Sequence, residues 1–358
     1  MHPLDSTFPD QRGSDLLSAV RSELALTRLA EAEYFEFRLG ASEQVDYLVA
    51  IPRRQAALAC RLAREVCHRR SLSHQAVWCR LEQLFEAWAS GGSLISSQSP
   101  AMWLEFDQLC SPVPQLGAPS VSVCLVPGYR TDEPLSAGNS VRTRELIAEA
   151  LHRLDVENTT AAAREVADCF TLLPDGARWI HLSVMLGRVP SAVKLYGSVR
   201  RETLLPFLQG IGWRGDLGAI ATALDGAYAP GLVGRELLID LNLDNFRDPG
   251  RASLGMAVGQ QQVARGPWRE LSRARVLEAW VALGLATPER AAVASAWACA
   301  TSDRAGVFTD LKLVWQAGVG FSAKAYLGRH AVSAEQLARL AEQWRLARET
   351  FEPMDHGQ

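Results

Sequence analysis

The sequence predicts an α+β protein: a ten-stranded antiparallel β-barrel with a polar lumen, surrounded by α-helices and built from five ββαα repeats. Three observations lead there. Short aromatic or β-branched runs come in pairs, and each pair is followed by stretches of helical period. Strands joined as hairpins are antiparallel neighbours, whereas alternating strands and helices would give a parallel sheet. Along each run polar and apolar residues alternate, so the sheet has one apolar and one polar face. A sheet clothed by helices has no solvent-facing outside, so the polar face looks inward, and closure removes the edges. About eight strands already fill a barrel or hold one small ligand, so ten leave a lumen.

The elements follow in order. Residues 14–31 carry apolar positions at helical spacing behind the cap signal Ser14-Asp15. Runs 34–39 and 45–51 form a first hairpin whose loop opens Gly40-Ala41-Ser42, followed by helices at 54–70 and 75–89. Strands 102–107 and 120–126 precede helices 141–154 and 159–171, and strands 178–186 and 192–196 precede helices 201–209 and 217–227. The fourth pair, 236–242 and 252–258, precedes helices 267–285 and 288–299. The fifth pair is 308–315 and 322–327, with a last helix at 333–351. The first and last helices together supply the fifth helix pair. One domain spans 14–351, and disorder is expected at 1–13 and 352–358. Repeat spacing is uneven, which marks repetition of structure rather than of sequence.

Composition narrows the class. A chain of 358 residues, 48% of them hydrophobic, buries a large core without staples. A net charge of −3 argues against a nucleic-acid partner. No apolar run reaches the roughly 18 residues of a membrane helix, so no membrane partner is expected. The polar first twelve residues lack the apolar stretch of a signal peptide. Seven cysteines without a CxxC pair read as reduced thiols in a cytoplasmic protein.

The lysines are the informative residues. Lysine occurs only at Lys194, Lys312 and Lys324, while every other basic position is Arg or His. A surface cation in this chain is therefore almost always Arg. All three lysines fall on the polar face of predicted strands. If about a tenth of positions point inward, three of three by chance is of order one in a thousand.

The ββαα order around a wide polar lumen resembles the ABBA, or PT-barrel, prenyltransferases, which include the dimethylallyltryptophan synthase type and the cyanobactin peptide prenyltransferases. The resemblance covers residues 14–351 as architecture. At motif level it rests on Lys-x-Tyr, present as Lys194-Leu195-Tyr196 and Lys324-Ala325-Tyr326, with Lys312 as an additional inward lysine. Two strands depart from the pattern. The fourth pair reads Arg251-Ala-Ser-Leu-Gly255-Met-Ala257 where Arg-x-Lys-x-Tyr is expected, and Ser122-Val-Cys124 carries no cation. The resemblance implies a metal-independent transferase that binds an allylic prenyl diphosphate through Lys194, Tyr196, Lys312, Lys324 and Tyr326. Positive charge and donors belong where the departing diphosphate gathers negative charge.

An aromatic or peptide acceptor would lie against Trp103, His181 and Asp240. Glu105, Glu36 or Asp107 would take its proton, since crowded carboxylates raise one another's pKa. The plainer reading is a lattice of lysine–carboxylate pairs filling the barrel. An alternative keeps the barrel and drops the diphosphate: an enzyme or binding protein acting on a cationic peptide in natural-product biosynthesis of ribosomal peptides. No resident cofactor is required, although Asp240, Asn242 and Asp244 with His181 could hold magnesium. GxxxxGK[ST], HExxH and GxSxG are absent. Gly210-Ile-Gly-Trp-Arg-Gly215 follows a helix, not a strand, and reads as a turn. Ser191-Ala-Val-Lys194 lies on a strand and is discounted as a nucleophile motif. Trp78, Trp88, Trp280 and Trp344 sit on helices as packing residues, whereas Trp103 and Trp179 are expected to face the lumen.

Overall fold

The computed structural model describes residues 29–41, 45–69, 72–107, 118–125, 137–156, 159–187, 192–228, 236–244, 246–258, 267–299 and 305–331. The expected helices at 14–31 (apart from its last three residues) and 333–351, Trp344, and the two expected disordered ends lie outside them. The strands are β1 (Ala32–Arg38), β2 (Val45–Pro52), β3 (Ala101–Phe106), β4 (Ser120–Cys124), β5 (Arg178–Met185), β6 (Ala192–Arg200), β7 (Glu236–Asn242), β8 (Ser253–Val258), β9 (Ala305–Gln316) and β10 (Gly320–Ala331). Each pairs antiparallel with the next, and β1 pairs with β10 from Ala32 opposite His330 to Arg38 opposite Lys324, which closes the barrel.

The helices are α1 (Ala56–Arg69), α2 (Leu72–Ala89), α3 (Leu94–Gln98), α4 (Ala137–Arg153), α5 (Thr159–Thr171), α6 (Arg201–Gly210), α7 (Leu217–Asp225), α8 (Pro267–Ala282) and α9 (Pro288–Cys299). Strand pairs followed by helices recur in the expected order. The short α3 is the one described helix without a periodic signal. A capping box starts it, with the Ser93 side chain accepting from the Ser96 N–H and Ser96 accepting in return. Arg201 at the start of α6 donates to the Leu224 and Tyr228 carbonyls, satisfying groups left over at the end of α7.

The core lies between the barrel's outer face and the helices. On β7 the outward Leu237, Ile239 and Leu241 are fully buried, while the inward Leu238, Asp240 and Asn242 keep some exposure. On β6 the same split separates Val193 and Leu195 from Lys194 and Tyr196. Apolar residues pack beneath helices because that face is dry, and polar ones turn to a lumen that water reaches. The β9–β10 hairpin turns through Gly318 (φ +72°) and Gly320 (φ +84°), a backbone region costly for side chains.

Two expectations are corrected. Trp179 does not face the lumen. The β5–β6 register shifts between Trp179 and His181, so two neighbours of like parity point to opposite faces. Trp179 lies outside, over Gly197 and against Phe170 and Phe207, and a Cβ at Gly197 would sit 2.6 Å from its ring. Nor are all seven cysteines thiols. Cys67 and Cys79 form a disulfide across the α1–α2 pair, whose backbones come to a Cα–Cα distance of 5.5 Å there. Cys60, Cys124 and Cys169 are buried and outside any disulfide. Among the described residues, no helix is long and apolar enough to cross a membrane.

Because Trp179 is core, Trp179→Ala should cost about 3–5 kcal/mol in denaturant unfolding. It should leave the binding of any lumen ligand unchanged once folded, as read by titration below the unfolding midpoint.

Candidate functional site

Period-2 alternation and register place the polar side chains in one lumen. Lys194 and Tyr196 stand on β6, Asp240 on β7, Asp310 and Lys312 on β9, and Lys324 and Tyr326 on β10. Glu36 on β1, Asp46 on β2, Trp103 and Glu105 on β3 and His181 on β5 complete the ring, with Asp107 just beyond β3. The three lysines come together with carboxylates between them. Lys312 Nζ donates to Asp240 Oδ2 at 2.6 Å and lies 3.3 Å from the Tyr326 hydroxyl. Lys194 Nζ is 3.6 Å from the same Asp240 oxygen. Lys324 donates to Glu36. The Lys312 ammonium also sits 5.6 Å from the Tyr326 ring centroid, within cation–π reach.

Burial alone would raise the pKa of Glu36, but Lys324 and Lys312 overcome it and hold the carboxyl at about 2. Asp240 is likewise held well below the usual carboxylate range, against its burial, by Lys194 and Lys312. Burial alone would lower the pKa of Lys324, but Glu36, then Asp46 and Glu105, raise it. Glu36, Asp240 and Lys324 are therefore ionised near neutrality. Replacing such buried pairs by apolar residues is often neutral or stabilising, so stability alone does not account for them.

Gly255 explains how Lys312 reaches Asp240. Lys312 lies opposite Ala257 on β8, whereas Asp240 lies across from Gly255, one strand further on. The lysine stem therefore crosses β8. A Cβ at position 255 would stand 2.4 Å from Lys312 Cε and 2.9 Å from Asp240 Cβ. Where the resemblance expects a cation on β8, this chain makes room for one arriving from β9.

The other wall is aromatic. Tyr34 meets Trp103 edge-on at 5.2 Å, Trp103 is 6.2 Å from His181, and His181 stacks on Tyr196 at 5.5 Å. Burial lowers the His181 pKa to about 4, so the ring is neutral at pH 7. Burial also raises the phenol pKa values of Tyr34, Tyr196 and Tyr326, which stay protonated donors. Ser122, opposite Trp103, and Ser183 share a hydrogen bond of 2.7 Å.

A third zone is acidic. Glu36, Asp46 and Glu105 bring one oxygen each to within 4.8 Å of one another, a hard-ligand set that suits a cation. Ser120, buried and opposite Glu105, has a hydroxyl without a hydrogen-bond partner. The set predicted for magnesium is not drawn together in this way. Asp244 lies beyond β7, where its carboxylate accepts the Val193 N–H at 2.5 Å. Asp240 stands with the lysines rather than beside Trp103. Sequence reasoning missed Tyr34, Asp46, Asp310, Ser120 and Gly255. Parity could have found Tyr34 and Asp310, each two residues from an assigned lumen residue, Glu36 and Lys312, whereas Asp46 and Ser120 join the ring through their cross-strand pairing with Glu36 and Glu105. Gly255 gives no such signal.

No family profile matches the chain, and no curated protein matches it by sequence. Solved structures do. The prenyltransferase PriB, in ternary complex with L-tryptophan and dimethylallyl thiolodiphosphate, superposes with a TM-score of 0.55 at 17% identity. That match covers 92% of this chain and 93% of PriB. A 6-dimethylallyl tryptophan synthase gives 0.53 at 14% identity over 90% of this chain and 95% of its own. The NotF prenyltransferase gives 0.56 at 14% over 92% and 91%. The chain has the ABBA, or PT-barrel, fold, the architecture that the ββαα order implies.

The charge network predicts an acid profile. Unfolded chain protonates His181 near 6.5 and the folded protein only near 4, so stability falls as pH drops between these values. Glu36 adds a second loss between about 4.5 and 2, because its folded pKa is depressed. Urea midpoints measured from pH 7 to pH 2 should show both, with His181→Asn flattening the upper window and Glu36→Gln the lower.

Proposed function

We propose that the chain is a prenyltransferase-like enzyme that moves an allylic group from a diphosphate donor to an electron-rich acceptor inside the barrel. The observation that carries this reading is the convergence of Lys194, Lys312 and Lys324, with Tyr196 and Tyr326, on one side of a closed lumen walled elsewhere by Trp103, Tyr34 and His181. The ammonium groups and phenols would take the charge that gathers on diphosphate as the allylic C–O bond breaks. The aromatic faces would shield the cation left behind. The acceptor then gives its electron pair to the allylic carbon and its proton to a carboxylate.

Glu105 is the better base. Glu36, held at about 2 by its lysines, is too weakly basic, and Asp107 lies beyond the strand end. Developing charge is met by lysines rather than by a metal. PriB bound to tryptophan and a thiolodiphosphate supports an aromatic acceptor and prenyl donor as the substrate classes. The reading extends to an enzyme of natural-product biosynthesis, with peptide modification among its uses.

The acidic zone favours a second reading, in which the lumen takes a cationic peptide without a diphosphate donor. Asp46 and Glu105 add negative charge around Lys324 beyond the Glu36 that bonds it.

Calorimetric titration with dimethylallyl and geranyl thiolodiphosphate, with and without magnesium, tests the first reading. Micromolar binding is expected, weakened at least about tenfold by Lys194→Ala. Absence of binding to either would overturn it. The second reading predicts that Glu105→Gln with Asp46→Asn weakens a basic peptide about tenfold, with thiolodiphosphate affinity not reduced.

A further inference from the structure

Asp240 has an unusual position for a carboxylate in a barrel proposed to bind diphosphate. It is mostly buried, with a side chain 14% exposed, and its Oδ2 is shared by Lys312 at 2.6 Å and Lys194 at 3.6 Å. Those are two of the three lysines in the chain. Gly255 keeps this arrangement possible, because any side chain there would displace the Lys312 stem. The third lysine has its own carboxylate, Glu36, on the far side of Tyr326.

We propose that Asp240 is an internal anion that pairs with the donor lysines, so that a ligand must displace it and only a multiply charged one does so well. This rests on the reading that the lumen binds a diphosphate. The geometry supplies the reason. With Asp240 in place, Lys194 and Lys312 present a net single positive charge to an arriving anion, and a carboxylate oxygen already stands at hydrogen-bond distance from Lys312 and within ion-pair range of Lys194. A carboxylate or monophosphate offers the lysines little more than Asp240 does. A diphosphate carries more charge and enough oxygens to engage both ammonium groups at once, with the Tyr196 and Tyr326 hydroxyls as further donors. Lysine suits the exchange, since its flexible stem lets one ammonium swing between two acceptors, where the planar guanidinium of Arg would stay forked on one. Asp240 is thus a specificity-determining residue of the donor site, not a group that touches the reacting carbon.

Asp240→Asn keeps the shape and removes the charge. Titration of wild type and variant with inorganic pyrophosphate and with inorganic phosphate reads the effect. The variant should bind pyrophosphate about tenfold more tightly and should bind phosphate measurably where wild type does not. A variant with wild-type thermal stability that binds pyrophosphate equally or more weakly would overturn the proposal while leaving the diphosphate reading intact. Absence of pyrophosphate binding in both proteins, with thiolodiphosphate also failing to bind wild type, would overturn that reading and this one with it. A measurement on wild type covers a variant that fails to fold. Three lysines give three resonances in protein labelled at lysine ¹³Cε. Added pyrophosphate should shift the Lys194 and Lys312 signals together, and movement of Lys324 alone would overturn the proposal.

Discussion

The pairing of β1 with β10 is the constraint on which everything else depends. An open sheet of ten strands has two faces and two edges, while a closed one has an inside and an outside. Closure assigns every second residue of every strand to one of two chemically opposite environments. A slip of one residue would send the whole apolar set of a strand into the lumen and its charges under a helix. The β5 irregularity shows the same rule from the other side. By absorbing one residue, the bulge sends Trp179 to the dry face and still returns His181 to the wet one. The lumen ring is a product of closure and parity together.

Within that ring the charges obey a different economy from those on the surface. Arg serves everywhere a cation meets solvent, and the three lysines are confined to the interior. A compact ammonium on a flexible stem can lie across a glycine and choose among acceptors, as Lys312 does over Gly255. Each lysine meets a carboxylate, because an isolated buried charge would shift its pKa and discharge. Such networks carry little net stability and a high penalty for losing one member. In this lumen they stand beside the aromatic residues Tyr34, Trp103 and His181.

The architecture was largely readable from the sequence. Paired strands, helical pairs, antiparallel order and inward lysines all follow from periodicity, which is a local property. The places where reading failed are those where one residue changes the count or where distance along the chain matters. The bulge before His181 inverts a parity that the letters Trp-Ile-His do not reveal. The disulfide between Cys67 and Cys79 depends on how two helices pack, which cysteine spacing does not show. Asp310 stands two residues before Lys312 and is legible by parity, whereas Asp46 joins the ring through its pairing with Glu36 across two strands, a relation that local periodicity does not show. At Gly255 the letters show only the absence of a cation. Its role appears once Lys312 and Asp240 are placed two strands apart on either side of it.

The seam between β1 and β10 also has a temporal meaning. Its partners, such as Glu36 and Tyr326, are separated by most of the chain. During synthesis the first hairpin emerges long before the strand that will close against it. Until then the growing sheet presents two bare edges and an unfilled inner face, and Tyr34 waits for Gly328, over which its ring will lie. Topologies of this kind fold slowly, because the entropy of joining distant segments precedes the contacts that reward it. Nascent chains of this protein should therefore be long-lived, sticky species for which folding helpers matter, and the lumen comes into being only once the β9–β10 hairpin has left the ribosome.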